Sequence, residues 1–157
     1  MKYIFTLLFT ISTLYADIAF KETRYMAALD IDRVMAGNLN IIEDVMTIKY
    51  SQPSGKTITY YNDKVTILES DDTKTYTFEE YPQASYLGLI LKAIIKDNYI
   101  SLEEVFKINI DKNNITLEAK PMIQNNMEQI EIIKKDKKKT IIISMSNKDK
   151  ITIETIN

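Results

Sequence analysis

The sequence predicts a mainly β fold with an α insertion: an unclosed, strongly curved antiparallel β-barrel (half-barrel) of about 10–11 strands. Ile, Val, Thr and Tyr alternate with Lys, Asp, Glu and Asn over most of residues 17–157, as in strands with one solvated face. This period changes to helical spacing only after Pro82. Because one helix cannot cover so many strands, we expect a sheet curled around an apolar trough that a small ligand could fill.

The first part of the chain predicts six strands separated by turn residues. The turn residues are Glu43-Asp44, the break Gln52–Gly55, the pair Asn62-Asp63 and the run Ser70–Asp72. The strands are expected at Ile18–Met26, Gly37–Glu43, Val45–Tyr50, Thr57–Tyr61, Lys64–Leu68 and Thr75–Phe78.

The helix is expected at Ala84–Lys96, where apolar residues at 87, 90, 91, 94 and 95 form one stripe. Pro82 precedes its start and Asp97-Asn98 ends it. Ser101 and Glu104 have the spacing of a capping box, which predicts a second short helix through Val105. Strands then resume at Phe106–Ile110, Ile115–Ala119, Met127–Ile133, Thr140–Met145 and Ile151–Ile156.

The amino terminus, Met1–Ala16, is typical of a signal peptide. Lys2 is followed by an apolar run that is too short for a span of about 20 residues, and Ala16 is a small residue at the expected cleavage site. We therefore expect one exported, periplasmic domain of residues 17–157, with cleavage after Ala16.

Composition excludes several kinds of chemistry. The chain has no His and no Cys, which leaves no Ser-His-Asp or Cys-His site and none of the His and Cys ligands that zinc favours. A net charge of −2 does not favour nucleic acid as a partner. The acidic pairs Asp71-Asp72, Glu79-Glu80 and Glu103-Glu104 consist of adjacent residues, which on a strand point to opposite faces. We predict no enzymatic activity, no metal and no cofactor.

A series of short motifs resembles the outer-membrane lipoprotein carrier (LolA-like) family. The motifs begin with Phe20-Lys21-Glu22, Gly37-Asn38-Leu39 and Ile48-Lys49-Tyr50 followed by Pro53. They continue with Asn62–Ile67, Tyr81-Pro82 before the apolar helix, and Leu117–Pro121. Their order and spacing match over essentially all of residues 17–157.

The resemblance implies an open barrel with a helical lid and a monomeric periplasmic chaperone that carries the acyl chains of lipoproteins. It also implies two partners: an inner-membrane lipoprotein-releasing transporter and an outer-membrane acceptor. The family's arginine that contacts the lid has no counterpart in Ile42–Asp44, so we expect a lid that is latched differently.

The acyl cavity is predicted from the inward positions of strands and helix. These residues are Leu39, Ile41, Met46, Ile48, Tyr50, Val65, Ile67, Phe78, Leu87, Ile90, Leu91, Ile94, Ile108, Leu117, Ile130, Ile132, Ile141 and Ile143. The alternative is a structural or protein-interaction domain in which the same residues fill the concavity. A hydrolase that uses only carboxylates has no positive support.

The lysine-rich turn, residues 134–139, is the strongest local concentration of charge. Contact with anionic lipid or an acidic partner is one interpretation, and a solvated turn that prevents edge pairing is the other. The residues are Lys134, Lys135, Lys137, Lys138 and Lys139.

Overall fold

The computed structural model describes residues 17–156, so the predicted signal peptide lies outside the described residues. Eleven strands, one α-helix and one 3-10 helix occupy this range. The strands are β1 (Ile18–Met26), β2 (Ile31–Ile42), β3 (Val45–Gln52), β4 (Ser54–Tyr60), β5 (Lys64–Glu69), β6 (Asp72–Thr77), β7 (Phe106–Asp111), β8 (Asn114–Ala119), β9 (Met127–Lys135), β10 (Lys138–Met145) and β11 (Lys150–Ile156). The helices are α1 (Gln83–Ile95) and the 3-10 helix (Tyr99–Leu102).

All eleven strands form a single antiparallel sheet in the order β6-β5-β4-β3-β2-β1-β11-β10-β9-β8-β7. Consecutive strands pair with each other, except that β6 and β7 do not pair and that β1 also pairs with β11. The sheet is unclosed because β6 and β7 are its two edges, and α1 with the 3-10 helix connects them. The prediction of a mainly β, unclosed antiparallel fold with one helix is confirmed.

Most predicted elements lie within a few residues of the observed ones. The Glu43-Asp44 turn is confirmed, and both residues have positive φ, as a two-residue type I′ hairpin turn requires. Strand β2 begins at Ile31, six residues before the predicted start at Gly37. Sequence analysis did not predict this part of the strand, because Ile31–Val34 is exposed on both faces and shows no alternation of burial.

The predicted capping box is wrong. The second short helix is a 3-10 helix at Tyr99–Leu102, and Ser101 lies inside it. The Ser101 hydroxyl donates a hydrogen bond to the Asn98 carbonyl oxygen at 2.8 Å, so it does not cap a helix that begins there. Burial of Tyr99 and Leu102 fixes this turn instead.

Helix α1 packs on one face of the sheet, which we call the inner face. Ile90, Leu91 and Ile94 are buried against it. Gly88 is necessary for this packing, because a Cβ at that position would overlap the ring of Tyr60 on β4. Among residues 17–156, no helix has the length and apolar character needed to span a membrane.

Gly37 allows a second close approach on the inner face. A Cβ there would overlap the carbonyl oxygen of Lys49 on β3 and crowd the ring of Phe20 on β1. Phe20 packs edge-on against Tyr50, with ring centroids 5.7 Å apart. The glycine therefore lets β1, β2 and β3 bring two aromatic rings together in the core.

Candidate functional site

All predicted cavity residues belong to the core or pack against it on the inner face. Ile41, Ile67, Phe78, Leu87 and Ile108 are half-buried. The others are buried: Leu39, Met46, Ile48, Tyr50, Val65, Ile90, Leu91, Ile94, Leu117, Ile130, Ile132, Ile141 and Ile143.

A first gap lies between α1 and strands β9 to β11, and we call it the β9–β11 cleft. It has a volume of about 250 Å³ and opens to solvent. Its walls are mostly apolar: Tyr86, Leu87, Ile90, Ile123, Met127, Ile143, Met145 and Ile151, together with Gln83 and Asn126. The volume lies close to the lower end of the range typical of ligand pockets, about 300 Å³.

A second gap lies on the other side of α1, against strands β4 to β6, and we call it the β4–β6 cleft. It is more open and has a volume of about 470 Å³. Its walls are Ile58, Tyr60, Val65, Ile67, Tyr76, Tyr81, Gln83, Ala84 and Leu87. Gln83 and Leu87 line both clefts, so both flank the first half of α1.

The second half of α1 is packed differently. The gap beneath Leu91 and Ile95, against Leu39 and Ile141, is about 20 Å³. That space is enough for about one water molecule. The inner face is thus filled beneath Leu91, whereas apolar clefts lie beside the start of α1. A lysine-lined cleft of about 370 Å³ lies beyond Ile95, at the carboxyl end of the helix.

Only part of the predicted cavity set lines the two clefts: Val65, Ile67, Leu87, Ile90 and Ile143. Of the others, Phe78 lines a separate gap of about 150 Å³ beside Tyr60 and Gly88, and the rest lie in the core or pack against it. Sequence reasoning missed Tyr60, Ile123 and Ile151, among others. Tyr60 continues the alternation of apolar and polar residues along β4, so it could have been predicted from that pattern. Ile123 lies in the irregular segment before β9, where no periodic pattern marks it.

Asp97, just after α1, gathers three donors, and we call this group the Asp97 cluster. Its Oδ1 accepts a hydrogen bond from the Tyr99 hydroxyl at 2.7 Å. The same oxygen pairs with the ammonium groups of Lys134 at 2.6 Å and Lys139 at 3.1 Å. Partial burial disfavours the charged carboxylate, but these three hydrogen bonds outweigh it and lower the pKa of Asp97 to about 2.

The Asp97 cluster also holds the carboxyl end of α1. The Lys139 ammonium donates to the carbonyl oxygens of Ile94 at 2.8 Å and Ile95 at 3.2 Å, in the last turn of the helix, where the regular intrahelical pattern ends. The Ile94 oxygen also accepts the Asp97 backbone N–H at 3.3 Å. Lys96 forms an ion pair with Asp44 in the β2–β3 turn. Lysines at a helix carboxyl end also interact favourably with its dipole.

The lysine-rich turn therefore divides into two groups. Lys134 and Lys139 are half-buried in the Asp97 cluster, whereas Lys135, Lys137 and Lys138 are exposed. The interpretation that this turn prevents edge pairing is wrong, since β9 and β10 are interior strands and the edges are β6 and β7. Contact of the exposed lysines with a membrane or partner stays a prediction.

A buried carboxylate lies on the inner face of β1. Glu22 is only 3% exposed. The Tyr50 hydroxyl donates to its Oε2 at 2.8 Å, and the Arg24 Nε donates to its Oε1. Burial, with the Glu22 charge, raises the pKa of Tyr50, so its hydroxyl remains a donor. Glu22 belongs to the motif Phe20-Lys21-Glu22, but sequence analysis predicted no role for it.

No protein-family model matches this chain, and no curated protein is similar enough to count as a relative. The site must therefore be interpreted from its own residues.

Proposed function

We propose that this protein is a periplasmic carrier that binds the acyl chains of lipoproteins on its inner face and transfers them from the inner to the outer membrane. The observation that carries the proposal is the pair of apolar clefts on either side of the first half of α1. Burying each methylene of an acyl chain there would contribute about 0.8 kcal/mol.

The contacts of α1 support a half-barrel. Eleven strands spaced about 4.8 Å apart would form a flat sheet about 50 Å wide, whereas a helix with its side chains is about 10 Å wide. Yet Leu87 faces both β4–β6 and β9–β11, which lie on opposite sides of the strand order. A sheet that wraps around α1 accounts for both contacts.

The two ends of α1 support its role as a lid. Its carboxyl end is held by Lys139 and by the Lys96–Asp44 pair. Its amino end follows Pro82 and has no side-chain cap. The first turn, which borders both clefts, can therefore move away from the sheet at lower cost than the last turn. The Asp97 cluster would be the anchor about which the first turn opens.

The filled half of the inner face favours the alternative of an interaction domain with its own core. Met46, Ile130, Ile132 and Ile141 are completely buried by other side chains of the protein. The two functions differ in what the clefts contain: a carrier fills them with a lipid, and an interaction domain leaves them to solvent.

Two matched substitutions on α1 separate these functions. Leu87→Trp places a large ring in the clefts, whereas Leu89→Trp adds the same ring two residues away, at a side chain that is 45% exposed and lines neither cleft. In titrations with the neutral fluorophore N-phenyl-1-naphthylamine, we expect L87W to bind at least about tenfold more weakly than the unsubstituted protein. L89W should bind normally. Equal binding by all three proteins would contradict an acyl site in the clefts.

The cargo is tested separately. Protein made in its natural compartment is purified and the extracted lipids are identified by mass spectrometry. We expect acyl lipids in the unsubstituted protein and in L89W, and a reduced amount in L87W. Capture of a lipid-modified lipoprotein, but not of the same lipoprotein without its acylated residue, would support the carrier. Capture of both forms equally would favour the interaction domain.

A further inference from the structure

The only two arginines of the chain are neighbours in the sheet. Arg24 on β1 lies directly opposite Arg33 on β2. Directly opposite side chains share a face and have Cβ atoms about 4.5–5.5 Å apart. The pair follows Phe20–Gly37 and Glu22–Met35 in the same register, so both arginines belong to the inner face. Like charges in such pairs are destabilising unless an anion compensates them.

Both arginines can still bind an anion. Glu22 engages the Nε of Arg24, and no other carboxylate pairs with Arg24 within residues 17–156. Arg33 is exposed and forms no ion pair in the same range. The guanidinium groups therefore offer several donors to an incoming group.

Glu22 positions Arg24. A carboxylate that is 3% exposed is costly on an apolar face, and a hydrophobic residue of similar volume would often serve stability as well. Here Tyr50 fixes one carboxylate oxygen and Arg24 is held by the other. This arrangement fixes the Arg24 side chain on the inner face, beside Glu22.

The arginine pair lies beside the β9–β11 cleft. On its other side, Arg24 lies directly opposite Ile151 of β11, and Ile151 lines that cleft. Because paired strands lie about 4.8 Å apart, the head of a molecule whose chain fills the cleft would lie about one strand from Arg24 and about two strands from Arg33.

We propose that Arg24 and Arg33 bind the anionic headgroup of an amphiphile, a carboxylate or a phosphate, whose acyl chain occupies the β9–β11 cleft. Planar guanidinium groups match both anions in bidentate geometry. The inference rests on the proposed acyl-binding function and specifies the class of ligand that this site prefers.

The test compares anionic and neutral amphiphiles with similar chains. Oleate and oleoyl lysophosphatidic acid carry the two anions, and monoolein carries none. The variants are R33Q, whose side chain has no partner to lose, and R24Q/R33Q. The control is K21Q, which removes one positive charge from the exposed outer face of β1. Circular dichroism melting establishes that each variant is folded.

We expect R33Q to bind the preferred anion about threefold more weakly and R24Q/R33Q about tenfold or more. Binding of monoolein should change by less than about twofold, and K21Q should resemble the unsubstituted protein. The anion with the larger loss, carboxylate or phosphate, identifies the headgroup class. Equal losses for oleate and monoolein, or equal losses in K21Q and R33Q, would overturn the proposal.

Failure of the two proposals can be distinguished. If neither the unsubstituted protein nor any variant binds monoolein or an anionic amphiphile, the acyl-binding function fails. If all of these proteins bind the amphiphiles, and the arginine variants lose no more affinity for the anionic ones than for monoolein, only this inference fails. Binding to phosphatidylglycerol vesicles tests whether the arginines recognise a membrane surface and not a single bound amphiphile. Arginine-dependent binding to these vesicles, without any selectivity for dissolved anionic amphiphiles, would also overturn the proposal.

Discussion

The two halves of α1 present the same apolar stripe to very different surroundings. Leu91 and Ile94, in the second half, are almost completely buried over a gap of about 20 Å³. Leu87, in the first half, borders clefts of about 250 and 470 Å³. The carboxyl end is tied by Lys139, while the amino end has no side-chain cap.

This difference indicates that one helix can be core at one end and a movable wall at the other. Tertiary packing, not the helical pattern itself, decides which role a given turn has. The stability of the fold should therefore depend on the second half of α1, and ligand binding on the first.

The largest expected effect is the difference in unfolding free energy lost on Ile94→Ala and on Leu87→Ala. Ile94 is completely buried, so its truncation leaves a cavity and should cost about 3 kcal/mol of unfolding free energy. Leu87 borders existing gaps, and its truncation should cost about 1 kcal/mol or less. Urea unfolding of both variants measures the difference. Equal losses would mean that the two halves are packed alike.

A smaller effect is expected from Gly88→Ala, at the junction of the two halves. Alanine is the better helix former by about 1 kcal/mol. However, its Cβ would overlap the ring of Tyr60, and such overpacking usually costs about 1–3 kcal/mol. We expect net destabilisation that disappears when Tyr60→Leu is added, as a double-mutant cycle would measure. Stabilisation by Gly88→Ala alone would contradict the close contact.

The Asp97 cluster should give a modest, pH-dependent contribution. The pKa of Asp97 is about 2 in the folded protein, below the value near 3.9 of an unfolded aspartate. Its contribution is therefore present above about pH 4 and is lost as the pH falls towards 2. Because the side chain is half exposed, Asp97→Asn should cost about 1 kcal/mol or less at pH 6.

The check is the difference in unfolding free energy between Asp97→Asn and the unsubstituted protein, measured from pH 6 down to pH 2.5. The difference should narrow as the pH falls. A difference that stays constant over this range would show that the charge of Asp97 contributes nothing.

Many features of the fold could be predicted from the sequence, because strand period and turn residues are local. The Glu43-Asp44 turn and most strand positions follow from such patterns. The difference in packing between the two halves of α1 could not be predicted from the sequence. It depends on the Tyr60 ring beneath Gly88 and on Ile123, which comes from a segment without periodicity. The partners of Lys134 and Lys139 were also hidden, because Asp97 is distant in sequence.

The smallest effect on stability is expected at the exposed part of the lysine-rich turn. Replacing Lys135, Lys137 and Lys138 by Ser should change the unfolding free energy by about 0.5 kcal/mol or less. The same replacement should slow transfer of cargo to anionic vesicles, mainly at low salt where screening is weak. Unchanged transfer at low salt would show that these lysines only solvate the turn.

The most direct test of the central claim is amide hydrogen exchange along α1, followed by NMR with and without monoolein. Amides of residues 87–90 should exchange faster than those of residues 91–95 in the protein alone, since only the second group lies in the tied and filled half. Adding monoolein should slow exchange in residues 87–90 and leave residues 91–95 nearly unchanged. Equal exchange in the two groups, or protection by ligand confined to residues 91–95, would contradict the account.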